Sequence, residues 1–417
     1  MGIFGNLRIR RFMLIFPDAT KGIVFMQEFK EQFEKELAQA KAYVDNPDLL
    51  KKEIAAKVKP QNELLAAPSP DEFSFRMMRY RGYVRFPERL KNKIKAEKSG
   101  FTKERDFLPM ILDVEPTSRC NFRCIMCQLT DWKHGKRADD LGYDDFVRLI
   151  DSQYGLVEVK LQGMGEPLLN KDFFKMAEYL SRKDIWVRTT VNGSLLHLND
   201  NYKKLVDVGI GELTTSFDGA TKEVFEKIRK NSDFDVVVKN LTDLNAYADS
   251  KGILLSRMWV LIQHYNVSQV FDFVDLAEKM RFKRMTFSIG MSDFGQEKWR
   301  DTNKSFEVDS FLSEEEIIKL KKYAEDKGID VTFWDLAEKY SSASFETMCK
   351  WPFTRAYVSS DLRIVPCCMI GNPDVAELGD ARAFTEEWNS PRFQGFREAH
   401  LKGAIPGFCK NCYIDKA

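Results

Sequence analysis

Residues 115–129 read EPTSRCNFRCIMCQL and place Cys120, Cys124 and Cys127 at C-x3-C-x2-C spacing, in a chain of 417 residues with only eight cysteines. The preceding apolar run, LPMILDV (residues 108–114), has the composition of a β-strand, so the thiols fall in the loop that leaves it. In a reducing compartment clustered cysteines hold metal more often than they form disulfides. A zinc ion would need a fourth ligand to close its tetrahedron, and the stretch offers none. Three thiolates suit a [4Fe–4S] cube that keeps one iron open.

Working outward, short β-branched runs alternate with amphipathic helical patterns. LVEVKLQG, IWVRTTVNG, IGELTTSFDG, ILLSRMWVLIQ and FKRMTFSIG are separated by stretches such as KDFFKMAEYLSRK and VFDFVDLAEKM. This alternation predicts β/α units around a parallel sheet. Six strands are too few for a closed eight-unit barrel, so the expected fold is α/β, a partial (β/α)6 TIM-like barrel over residues 106–340. Residues 1–105 read as a mostly helical extension, and residues 341–417 as a small hairpin-plus-helix module.

At 44% hydrophobic and 30% charged, the composition is that of a globular domain, and no apolar run approaches the length of a membrane span. The start, MGIFGNLRIRRFMLIF, lacks the order of a secretory signal, and a cytoplasmic location is expected; an amphipathic surface segment is the alternative. Net charge is +1, yet residues 76–105 carry eleven Lys/Arg against three Asp/Glu. A solvated helical face accounts for such a run, an anion-binding patch being the sharper reading; neither nucleic acid nor a membrane surface is expected as a partner.

The cysteine loop resembles that of the radical S-adenosylmethionine (SAM) superfamily, with Met126 where an aromatic is commonest. The resemblance implies that Cys120, Cys124 and Cys127 hold a cluster whose open iron chelates the amino and carboxylate groups of SAM. Reductive cleavage then yields a 5'-deoxyadenosyl radical that takes a hydrogen atom from substrate, with flavodoxin or ferredoxin as the kind of electron donor. By the same resemblance Gly163, Met164, Gly165 and Glu166 of LQGMGEP receive the methionine amino group. Asn192, Ser216 and Asp218, at successive strand ends, become candidates for the ribose, and Arg229 for the carboxylate. Singly, such residues are more often caps, turns or surface groups. Their order on strand ends gives them weight, because ligands of these sheets gather at the C-terminal edge.

The remaining five cysteines lie between Cys349 and Cys412. Paired C-x2-C spacing also fits a zinc ribbon. The layout CKWPF, VPCC, LGD, WNS, CKNC instead resembles the twitch or short SPASM module of radical enzymes, which implies a second [4Fe–4S] cluster on Cys349, Cys367, Cys409 and Cys412. Adjacent strand residues project to opposite faces, which separates Cys368 from Cys367. Cys368 is then an inert buried thiol or a hydrogen-atom donor.

The expected function is radical oxidation or epimerisation of a polar small molecule of sugar or aminocyclitol type. Peptide maturation and a non-catalytic metal scaffold are the alternatives. Arg257, Gln263, His264 and Asp293 are candidates to face the cavity as a general base, while Trp259 and Phe287 read as core.

Overall fold

The computed structural model describes residues 19–57, 64–308, 310–336 and 339–414. The first sixteen residues, for which an amphipathic surface segment is the alternative reading, lie outside them. Four helices come first: α1 (Ala19–Asp45), α2 (Pro47–Ala56), α3 (Glu72–Arg85) and α4 (Pro87–Lys98). The first, third and fourth share a small core of Ala40, Tyr83, Leu90 and Ile94.

The parallel strands are β1 (Ile111–Val114), β2 (Glu158–Leu161), β3 (Trp186–Val191), β4 (Glu212–Ser216), β5 (Ser256–Leu261), β6 (Arg284–Ile289) and β7 (Asp330–Asp335). Between them run α5 (Tyr143–Ser152), α6 (Phe173–Arg182), α7 (Asn201–Asp207), α8 (Lys222–Ile228), α9 (Phe234–Ser250), α10 (Val270–Lys279), α11 (Glu297–Lys304) and α12 (Glu314–Asp326). Local chemistry fixes their starts: Asp233 caps α9, and a reciprocal Ser313/Glu316 capping box opens α12. The six expected strands are present, and β7 extends the sheet by one.

Strands β8 (Arg355–Val358), β9 (Arg363–Val365) and β10 (Gly379–Asp380) complete the sheet, and α13 (Pro391–Leu401) follows with Ser390 as its cap. The hairpin is continuous with the barrel. Strand β8 pairs in parallel with β1, Asp113 opposite Tyr357, and the ten-stranded order is β10-β9-β8-β1-β2-β3-β4-β5-β6-β7.

Period-2 alternation sorts the strand residues. Leu112, Val159, Val187, Leu213, Met258 and Phe287 face the helices and form the main core. Asp113, Lys160, Arg188, Glu212, Arg257 and Thr286 lie on the opposite, concave face. The lower end of this bore is closed by ions: Arg188 meets Glu158 and Glu212 at 3.3 and 3.1 Å, and Arg257 reaches Glu212 at 3.1 Å. Arg257 also donates to Ser69 O at 2.6 Å, so the segment after the first two helices plugs that end.

The basic stretch expected as a solvated face works largely inward. Arg76 pairs with Glu53, Lys93 with Glu36 and Arg85 with Asp184, while buried Arg89 donates to Lys183 O, docking the helical extension on the barrel. Among the described residues no helix is long and apolar enough to cross a membrane.

Candidate functional site

Two cavities open at the C-terminal edge of the sheet. The first, of about 250 Å³, is lined by Cys120, Cys124, Cys127, Met126, Gly163, Met164, Gly165, Glu166, Asn192, Ser216 and Arg229, together with Gln162 and Thr190. The cysteine loop is pinned by a short antiparallel ribbon pairing Arg123 with Lys230 and Cys124 with Arg229. The Cys127 N–H donates to Cys124 O at 3.1 Å. Burial pushes the Cys120 and Cys124 thiols up to about 12, so as thiolates they call for a positively charged partner. Two side-chain donors stand close by, Asn192 Nδ2 and Arg229 Nη1, each 3.9 Å from a sulfur, that of Cys120 and of Cys124 respectively.

The GMGE turn is held by close backbone approach. A Cβ on Gly165 would stand 2.3 Å from Thr117 O and 2.4 Å from Arg119 O, and the Glu166 N–H donates to Arg119 O at 2.7 Å. Only glycine fits there. Glu166 is buried and accepts from the Asn192 and Leu168 N–H groups at 2.7 and 3.3 Å. Burial raises its carboxyl to about 7, a group that a bound ammonium would ionise.

Asp218 differs from its expected place. It stands behind the cavity wall, pairing with Arg229 Nη2 at 2.6 Å and accepting from the Leu261 N–H at 2.8 Å. Its carboxylate is spent holding Arg229, which itself lines the cavity.

The second cavity, about 40 Å³, is lined by Cys349, Cys367, Cys409 and Cys412 with Asp293, His400 and Tyr413. Burial raises all four thiols. Cys368 is not among the lining residues. Half-buried, it feels the charges of Lys160, Asp113, Arg355 and Lys339, on the bore side. Among the described residues no group of three or more His, Cys, Asp or Glu is drawn together about a single ion; the thiols ring cavities instead.

The proposed general bases scatter. Arg257 belongs to the ion network, Gln263 is fully buried beside Asn266, and His264 is exposed against Tyr265 and Phe306. Asp293 borders the second cavity, paired with Arg300 at 3.2 Å.

Sequence reasoning missed two connecting residues. Buried Glu115 accepts from the Met164 N–H, Tyr357 Oη and the Ser360 N–H, tying β1 to the GMGE turn and to the hairpin. Buried Gln128, next to Cys127, donates to Ile370 O at 2.8 Å and accepts from Gln296 at 2.9 Å. The Ile370 N–H in turn bonds Cys367 O, so one side chain spans the two thiol loops. A carboxylate directly after a buried strand was the available signal for Glu115; Gln128 offered none.

Two family models match this chain: the radical SAM superfamily over residues 114–277, and an iron–sulfur cluster-binding domain, SPASM, over residues 349–413. The chain carries a radical SAM domain and a SPASM-type iron–sulfur module. Its cofactors are therefore SAM and [4Fe–4S] clusters, and the donors present fit them: three thiols at the first cavity, four at the second, and a glycine-backed carboxylate between cysteines and strand ends.

This radical SAM chain is 31% identical over 167 residues to the GTP 3',8-cyclase of Saccharophagus degradans, covering 39% of this chain and 48% of the relative. To the mycofactocin maturase MftC of Mycobacterium tuberculosis it is 28% identical over 195 residues, 46% and 48% of the two chains. The chain spans about half the length of these curated relatives. Among solved structures, Streptococcus suis SuiB bound to precursor peptide SuiA superposes with TM-score 0.54 at 16% identity, covering 87% of this chain and 80% of that one. The structure of anSMEcpe with bound AdoMet gives 0.51 at 16% identity, covering 74% and 88%. At these identities the likeness is one of fold.

Proposed function

We propose that this radical SAM enzyme abstracts a hydrogen atom from a polar small molecule of sugar or aminocyclitol type held in the bore, giving oxidation or epimerisation. The observation that supports the reading is that Cys368 stays out of the cavity lined by the other four C-terminal thiols, while the charges of Lys160 and Asp113 act on it.

When bound, SAM and the clusters supply the electron transfer and the carbon radical. The chain's own residues do the rest. Cys120, Cys124 and Cys127 hold the first cluster; Cys349, Cys367, Cys409 and Cys412 hold the second. Glu166 receives the SAM ammonium, Arg229 its carboxylate, and Asn192 and Ser216 the ribose. Asp218 orients Arg229. In the epimerising branch the Cys368 Sγ–H would give its hydrogen atom to the substrate radical, and the thiyl left behind would be restored by one electron from the external flavodoxin- or ferredoxin-type donor and one proton from solvent. In the oxidising branch that thiol would stay unchanged, and the group held by Cys349, Cys367, Cys409 and Cys412 would supply the electron acceptor.

Peptide maturation is the second reading, favoured by the likeness to MftC, a mycofactocin maturase, and to the fold of SuiB, crystallised with its precursor peptide.

Anaerobic purification with iron and sulfide analysis tests the metal assignment: about eight irons per chain accords with two cubes, whereas zinc would overturn it. Reduced enzyme with SAM is then assayed for 5'-deoxyadenosine. In deuterated solvent, label retained in product marks epimerisation and its absence dehydrogenation; 5'-deoxyadenosine formed only with a peptide would replace the small-molecule reading.

A further inference from the structure

One layer below the first cavity the bore holds a group with unmet bonding. Gln162 and Thr190 line that cavity, and Lys160 and Arg188 precede them by two residues on the same strand faces, a step of about 6.6 Å into the barrel. Lys160 is the cross-strand neighbour of both Asp113 and Arg188. Asp113 is fully buried, and neither of its carboxylate oxygens has a hydrogen-bond partner. Its charge partner, Lys160 Nζ, stands 3.6 Å away, beyond hydrogen-bonding length. Other carboxylates of the bore stand closer to their cations: Glu158 meets Arg188 at 3.3 Å, and Glu212 meets Arg188 and Arg257 at 3.1 Å. A buried acceptor without donors is costly, and the thiol of Cys368 feels the charges of both Asp113 and Lys160.

We infer that Asp113 and Lys160 form the substrate-anchoring pair, with the Asp113 carboxylate accepting a hydrogen bond from a hydroxyl of a small polyhydroxylated molecule. The donor that carboxylate lacks must come from the ligand. A neutral hydroxyl fits better than an ammonium, since Lys160 and Arg188 flank the site and Arg355 and Lys339 add positive charge around Cys368. The ion network and Ser69 close the far end, so the molecule enters from the SAM side and is short. The inference rests on the proposed use of the bore as the reaction chamber and names the substrate class within it. Asp113 thereby takes the place of the four scattered residues considered as proton acceptors.

The test uses the reconstituted enzyme with SAM bound, under anaerobic conditions. Cys368 is alkylated with iodoacetamide in mildly alkaline buffer, and its rate is read by peptide mass spectrometry with and without myo-inositol, D-glucose, D-glucosamine or a serine-containing peptide. The expected result is protection of Cys368 by the neutral polyols, reduced about fivefold in Asp113→Asn, which loses one acceptor and the charge, and abolished in Asp113→Leu. Iron content and melting temperature establish that each variant is folded; should the Leu variant fail to fold, the Asn variant decides. Equal protection in wild type and Asp113→Asn, stronger protection by glucosamine than by glucose, protection by the peptide alone, or none by any probe would each overturn the inference. Cleavage of SAM to 5'-deoxyadenosine without added substrate is measured separately, so failure of the radical reading is told apart from failure of the anchoring pair.

Discussion

Adding one methyl group at Gly165 should cripple SAM binding while leaving the protein folded. In Gly165→Ala the new Cβ would lie 2.3, 2.4 and 2.8 Å from Thr117 O, Arg119 O and Arg119 N, all main-chain atoms that cannot swing aside. The GMGE turn and the cysteine loop must part by about an ångström, and overpacking of this kind costs about 1–3 kcal/mol. The move also stretches the 2.7 Å bond from the Glu166 N–H to Arg119 O, worth about 1 kcal/mol. Glu166 is the group meant to receive the ammonium, so together these effects, about 2–4 kcal/mol, should appear as a loss of about thirtyfold or more in SAM affinity. The assay is equilibrium dialysis with radiolabelled SAM on reconstituted enzyme, with iron content and melting temperature recorded. Gly395→Ala is the comparator: no atom lies within 4 Å of its added Cβ, in the middle of α13, and stability should rise by about 0.5–1 kcal/mol. Full SAM affinity in Gly165→Ala with normal iron would refute the argument.

Replacing Arg229 by Met strands buried Asp218 without its partner, and unfolding titrations should register a loss of about 3–5 kcal/mol, far more than a surface arginine would give. Cys349→Ser or Cys409→Ser should bring the iron count down to about half, whereas Cys368→Ser should leave it unchanged; chemical iron analysis decides. Arg137 holds the Asp361 carboxyl well below its ordinary 3.8. A depressed acid adds stability above its unfolded value and loses it as pH falls through the folded one, so Asp361→Asn should be less stable than wild type at pH 7, with the gap shrinking below about pH 4 in thermal melts. Gln128→Leu should leave both sets of thiols intact yet shift the spectroscopic signature of each cluster, because it cuts the 2.8 Å link to Ile370; unchanged spectra would argue that the link is packing alone.

What the sequence disclosed was chemistry with short-range spacing. The trio at 120, 124 and 127 and the GMGE turn could be read because their geometry is carried by neighbours in the chain, and six strands announced themselves by β-branched runs. Strand β7, DVTFWD, went unread because it directly follows a helix and carries charges at both ends. The union of β8 with β1 is a pairing across some 240 residues that no local pattern encodes. Asp113 carries no signal in its apolar strand, and only the register sets it opposite Lys160. Asp218 was placed at the correct strand end, but its side chain is claimed by Arg229, a competition that spacing cannot reveal.

The parallel pairing of β8 with β1 has a consequence for how the enzyme can change over time. Because Cys120 follows β1 and Cys367 follows β9, with β8 hydrogen-bonded to both strands, the separation of the two metal centres is dictated by main-chain bonding that side-chain substitution scarcely alters. New substrates can therefore be accommodated by redrawing the opposite wall, from β3 to β7, while the electrical spacing of the machine stays put.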